Sequence, residues 1–133
     1  MTQNKKFVDM IVEGLQDGKA SKIVVVDLTG IDNCICQYMV ICEGNSNTHV
    51  NYVATNLKEY VRKNYGEKPI AMEGFENSEW IVADYSDIMV HIMQREPRAF
   101  YDLEHLWEDA EINEVPELWV KKQQIPQIIK NLK

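Results

Sequence analysis

No apolar run in this chain approaches the roughly 20 residues needed to cross a bilayer, which excludes a helical membrane span. The opening residues, MTQNKKFVDMIVEG, carry charges throughout and lack the apolar centre of a secretion signal. Positive charge is also scarce: 14 Lys and Arg stand against 21 Asp and Glu, for a net charge of −7. A negative field repels phosphate backbones, so sequence-specific nucleic-acid binding is not expected. The same field favours a basic protein partner, including one embedded in an RNA–protein particle. Cysteine is limited to Cys34, Cys36 and Cys42. An odd number without a signal sequence predicts free thiols in a reducing compartment, hence a soluble cytoplasmic protein. Cys34-x-Cys36 with Cys42 and His49 can be drawn as a zinc set, but the spacing matches no common site, so neither metal nor cofactor is expected. Internal repeats and low-complexity tracts are missing. So are a Walker loop, Gly-x-Gly-x-x-Gly and Gly-x-Ser-x-Gly.

What is present reads as one domain with room for a real core. From about Asn4 to Gln16, Phe7, Met10, Ile11 and Leu15 fall on one helical stripe, with Gly18 available to end the helix. Lys22 to Leu28 is a continuous, β-branched apolar run, the signature of a strand covered on both faces. Gln37 to Glu43 is a second strand. Gly44-Asn45-Ser46-Asn47 then leads into a helix of about Thr48 to Tyr65, with Ser46 or Asn47 as N-cap and Gly66 closing it. Lys68 to Met72 is a third strand, starting near a proline and so placed at an edge or strand start. After Gln94, REPRAFYDLEHLWED predicts a third helix with Pro97 in its first turn and Ala99, Leu103 and Leu106 on one face. The body is assigned to residues 1–107. Residues 108–133, acidic to Glu117 and basic from Lys121, form an extension expected to be mobile or to hold one short amphipathic helix.

The stretch Glu79 to Gln94, EWIVADYSDIMVHIMQ, reads as a β-hairpin. With Tyr85-Ser86 as the loop, Asp84 lies opposite Asp87, Val82 opposite Met89 and Trp80 opposite His91. One face then carries Ile81, Ala83, Ile88, Val90 and Ile92, and belongs to a core. The other carries Trp80, Val82, Asp84, Asp87, Met89 and His91. Two readings of that second face stand: a contact surface, or a helix-covered layer whose carboxylates cap the loop. The order α-β-β-α-β-β-β-α predicts an α/β fold with a mixed five-stranded sheet packed with helices.

For enzymatic chemistry the candidates are incomplete. The strand–Gly44-Asn45-Ser46–helix junction resembles the phosphate-holding turn of a nucleotidyltransferase, and helix N-termini do favour anions. Such enzymes also need paired carboxylates for magnesium on the next strand, yet that strand offers none before Glu73 and no Asp-x-Asp occurs in the chain. Cys42 with His49 would put a nucleophile inside a buried strand, where a thiolate is disfavoured. His91 with Asp84 or Asp87 would be an acid–base pair separated along the hairpin.

Taken together, KIVVVDLTG, YMVICEGNSNTHV and EGFENSEWIVADYSDIMVHIMQREPRAFYDLEHLW resemble the Iojap family, the ribosomal silencing factors (RsfS), over about Lys5 to Trp107. Position 86, commonly glycine in the family, is serine here. The resemblance implies a nucleotidyltransferase-like fold without catalytic activity. It also implies binding to the large ribosomal subunit through its fourteenth ribosomal protein, blocking the small subunit and lowering translation when nutrients are short. The contact positions it implies are Glu73, Trp80, Asp84, Tyr85, Asp87 and His91, with Met89 and Met93 as apolar filler. A homodimer of the free protein is an alternative occupant of the same surface, and an active nucleotidyltransferase is the alternative function.

Overall fold

The computed structural model describes residues 2–34 and 36–116. Its elements are α1 (Thr2–Asp17), β1 (Ser21–Asp27), β2 (Tyr38–Glu43), α2 (Asn47–Tyr65), β3 (Ala71–Glu73), β4 (Trp80–Asp84), β5 (Ile88–Met93), α3 (Arg95–Tyr101), a 3-10 turn (Leu103–His105) and β6 (Glu111–Glu114). The strands form one sheet in the order β3-β4-β5-β2-β1-β6. Only β2 and β5 run parallel, which the α2 crossover permits; every other neighbouring pair is antiparallel. The sheet is therefore mixed, but with six strands rather than five. The sixth comes from residues 111–114, which the sequence reading set in the extension. They pair with Val24–Asp27 along the outer side of β1.

Both faces of the sheet carry apolar layers, and β1 supplies each in turn. Ile23 and Val25 enter the first layer, with Val40, Cys42, Ile81, Ala83, Ile88, Val90 and Ile92, under α1 and α2. Val24 and Val26 enter the second, with Met39, Ile41 and Met93. That alternation is why β1 reads as an unbroken apolar run. On α1 the buried residues are Val8, Ile11 and Leu15, while Met10 lies half-buried beside them. A Cβ on Gly14 would sit 2.9 Å from Leu57 Cδ1 and 3.0 Å from Tyr60 Cδ1, so the missing side chain lets α1 approach α2. Ser46 is the N-cap of α2, its hydroxyl accepting from His49 N at 3.0 Å. Gly66 ends that helix by donating to the carbonyls of Val61 and Arg62.

Three elements differ from expectation. The third strand is shorter and later than Lys68 to Met72. The hairpin register pairs Asp84 with Met89, Val82 with His91 and Trp80 with Met93, so the turn is Ser86-Asp87 instead of Tyr85-Ser86. Tyr85 N donates to Ile88 O at 2.9 Å, and Asp84 Oδ1 accepts from Ser86 N at 2.8 Å, fixing the turn one position later. Each opposed partner moves by two residues, an even slip, so the strand residues keep their predicted faces and only Asp87 moves off, into the turn. The third helix stops at Tyr101, because Asp102 takes a left-handed conformation (φ 47°) and the chain turns away. Leu103 and Leu106 thereby leave the helical period, and Leu106 is exposed.

What α3 buries is Arg98. Its Nη1 donates to Lys22 O at 2.6 Å and approaches Glu43 Oε2 at 3.3 Å, and its Nη2 meets Glu104 Oε2 at 3.0 Å. One guanidinium thus fastens α3 to β1, β2 and the 3-10 turn. The expected amphipathic segment of the extension lies, beyond Pro116, outside the described residues. Among the described residues no helix is long and apolar enough to cross a membrane.

Candidate functional site

The second face of the hairpin is only partly roofed. Helix α3, the 3-10 turn and Trp107 cover one end of it, and the remainder meets solvent. Strand alternation puts Trp80, Val82, Asp84, Met89 and His91 on this face. Glu73 joins them, because it pairs with Val82, which pairs with His91 in turn. Gly74, which follows, is forced: at φ +105° a Cβ would lie 2.1 Å from Trp80 O.

Trp80 is half-buried and held from two sides. Its indole Nε1 donates to His91 Nδ1 at 3.0 Å, and its ring lies 4.9 Å, centroid to centroid, from Tyr101. Tyr101 in turn meets Phe100 edge-on at 5.0 Å. His91 is only 9% exposed, and burial pushes its pKa down to about 4, so the imidazole is neutral at pH 7 and free to accept through Nδ1. It is a diagonal neighbour of Trp80, not its opposite partner.

Beside the indole lies a hollow of about 580 Å³ formed by Trp80, Pro97, Phe100 and Tyr101 with Asn77, Glu79 and Glu96. Phe100 is 80% exposed and Tyr101 51%. These two aromatics were not singled out as site residues from the sequence. The apolar stripe could not have found them: Ala99 on that stripe is itself exposed, and the helix is oriented by buried Arg98, which leaves Phe100 and Tyr101 facing solvent.

The face gathers Glu73, Trp80, Asp84, Met89 and His91 and leaves three expected members elsewhere. Asp87 is exposed on the turn, and its carbonyl accepts from Gln37 N at 2.7 Å. Met93 is completely buried in the second layer. Tyr85 is 6% exposed in the first layer, edge-on to Phe7 at 5.4 Å, which in turn stacks on Tyr65. Tyr85 and Met93 are thus placed beneath the surface: position 85 shares the parity of the core face, and Met93 sits in the second layer, against which Leu103 and Trp107 pack.

The enzymatic alternatives find their groups already engaged. Ser46 Oγ caps α2, Asn45 N donates to His49 Nδ1 at 3.0 Å, and Gly44 N donates to Met93 O. His49 Nε2 lies 3.1 Å from Gly18 O, so both ring nitrogens tie α1 to the β2–α2 turn. Cys42 is fully buried, and desolvation raises its thiol to about 12; Cys36, on the opposite layer, is raised to about 11 by the same cause. Neither is a thiolate at neutral pH. Among the described residues no three of His, Cys, Asp and Glu come together as a set able to hold a metal ion. The face and its border thus bring together a fixed indole, two exposed aromatics and several carboxylates.

A family model described as "Ribosomal silencing factor during starvation" matches residues 2–131. The chain is 35% identical over 107 residues to the ribosomal silencing factor RsfS of Halalkalibacterium halodurans, covering 80% of this chain and 90% of that one. It is 38% identical over 101 residues to the RsfS of Haemophilus influenzae, covering 76% and 97%. A crystal structure of a protein from Chromobacterium violaceum superposes with a TM-score of 0.72 at 28% identity, covering 78% of this chain and 85% of that one.

Proposed function

The chain belongs to the family of ribosomal silencing factors, and from that premise we propose that it binds the large ribosomal subunit and keeps the small subunit from joining. In this reading the second face of the hairpin docks on a basic protein of that subunit, the fourteenth, and the bulk of the bound domain obstructs the neighbouring subunit. Translation falls as a result when nutrients are short. Steric exclusion of this kind needs no bond-making step and no cofactor.

The observation that carries the reading is the clamped indole. Trp80 is held by His91 and Tyr101 before any partner arrives, beside exposed Phe100 and a hollow bordered by Glu79 and Glu96. An aromatic anchor already fixed in position loses little entropy on binding, and such anchors carry most of the energy at many interfaces. Glu79 and Glu96 border it, and Glu73, Asp84 and Asp87 carry the negative charge on along the hairpin toward its turn, suited to Lys and Arg on the partner.

The test is co-sedimentation with purified large subunits. Trp80→Ala is expected to weaken binding by about 2 kcal/mol, roughly 30-fold. Phe100→Ala is the cleaner variant, since the ring is largely solvated and its loss leaves the core untouched. Undiminished pelleting of both rejects the assigned surface. If instead the free protein's sedimentation changes with concentration in wild type and not in the variants, the surface serves a homodimer.

A further inference from the structure

The bend between β3 and β4 sets one wall of the Trp80 hollow, because Asn77 and Glu79 line it and Trp80 opens β4. Its conformation is not one the local sequence favours. Ser78 is left-handed (φ 56°), a region that residues with a Cβ seldom enter. Two backbone hydrogen bonds close the bend, Ser78 N–H to Gly74 O at 3.1 Å and Gln94 N–H to Glu79 O at 2.9 Å. Side chains supply further hold. Asn51 Nδ2, from α2, donates to the buried Ser78 hydroxyl at 3.2 Å, and that hydroxyl donates to Phe75 O at 3.2 Å.

A second tie runs through two amides. Asn47, the first residue of α2, donates from Nδ2 to Asn77 O at 2.8 Å. Gln94, just past β5, donates from Nε2 to Asn47 Oδ1 and reaches Ser78 O at 3.4 Å with the same nitrogen. The carbonyls of Asn77 and Ser78 can only accept, so they dictate which end of each amide points at them. Asn47 must turn its nitrogen to Asn77, which leaves its oxygen for Gln94. Ser78 demands that same orientation of Gln94. One arrangement satisfies every partner, and it joins α2, the bend and the end of β5.

We infer that Asn47 and Gln94 are positioning residues of the docking face. They hold Asn77-Ser78-Glu79 in the conformation that forms the hollow before a partner arrives. The inference rests on the ribosomal reading of that face. Neither residue lines the hollow. With the amide tie broken, the hollow is formed for only part of the time, and apparent affinity falls by that fraction. The loss belongs to association; a complex once made dissociates as before.

Asn47→Asp is the sharpest variant. It keeps an oxygen for Gln94, suits the N-terminus of α2, and removes only the donor to Asn77 O. Its association with purified large subunits should slow roughly threefold to tenfold, the effect of one hydrogen bond. Dissociation and the urea midpoint should not change. The added negative charge would by itself speed encounter with a basic partner, so slowing cannot come from charge. In the free variant, hydrogen exchange at the Ser78 and Gln94 amides should quicken, while Val53 in α2 and Ile92 in β5 stay as protected as in wild type. Asn47→Ala, Gln94→Ala and the double variant should lose nearly the same binding, since each breaks one tie. Unchanged exchange at Ser78 and Gln94 overturns the inference, and so does faster dissociation, which would mark Asn47 as a direct contact. Normal association of Asn47→Asp beside impaired Trp80→Ala overturns the inference and spares the ribosomal reading. Normal association of Trp80→Ala and Phe100→Ala removes both.

Discussion

Tyr85 brings a hydroxyl into the first apolar layer, and among the described residues that oxygen has no hydrogen-bond partner. Burial alone drives its pKa up to about 12, so the group stays neutral. A buried, unpaired polar atom costs roughly 1–3 kcal/mol. Tyr85→Phe is therefore expected to raise stability by about 1 kcal/mol in urea unfolding and to leave large-subunit binding unchanged. His91 makes the opposite kind of statement. Its pKa is lowered by burial from 6.5 to about 4, so the unfolded chain binds this proton more readily than the native one. Its contribution is complete above pH 6.5 and is lost as the pH falls from there to about 4, amounting to about 3 kcal/mol. The difference in unfolding free energy between wild type and His91→Asn should change across that window and be flat above it. In the folded protein Trp80 emission should stay flat down to about pH 5 and shift near pH 4, where its acceptor is protonated.

Helix α3 shows what a sequence conceals at the level of an element. Its inward-facing anchor is an arginine, so a search for apolar stripes finds Ala99, Leu103 and Leu106 and misses the residue that holds it. Removing one partner from a buried ion cluster leaves the others uncompensated, at about 3–5 kcal/mol. Arg98→Met should destabilise the protein by that order in chemical denaturation. Glu104→Gln should cost much less, because Arg98 keeps Lys22 O and Glu43. Strand β6 was hidden for another reason. All four of its residues are exposed, so Glu111–Glu114 lacks the alternation that marks a half-buried strand, and it is held by backbone pairing to β1. The hairpin was legible because period-two alternation survives an even slip in register. Its turn was not, because Ser86 takes a left-handed conformation (φ 74°) that its side chain does not advertise.

At the scale of the whole molecule, acidic residues outnumber basic ones and the aromatic hollow sits among carboxylates. Long-range attraction to a basic partner sets encounter rate and salt dependence more than the final affinity. Asp87→Lys combined with Asp84→Asn, which keeps an oxygen for Ser86 N, should slow association with large subunits several-fold and flatten its dependence on ionic strength. Stopped-flow measurements at two salt concentrations check both effects; an unaltered slope removes these carboxylates from the docking face. The layered core was readable from apolar periodicity, and so were both long helices. The closing strand and the aromatic rim were not, since each depends on where the chain returns after α3. That return also shapes how the protein is made. Strand β1 (Ser21–Asp27) is synthesised well before residues 111–114, which pair along its outer edge. Until those residues emerge, the nascent chain bears a bare, β-branched strand edge, the kind of template on which neighbouring chains aggregate.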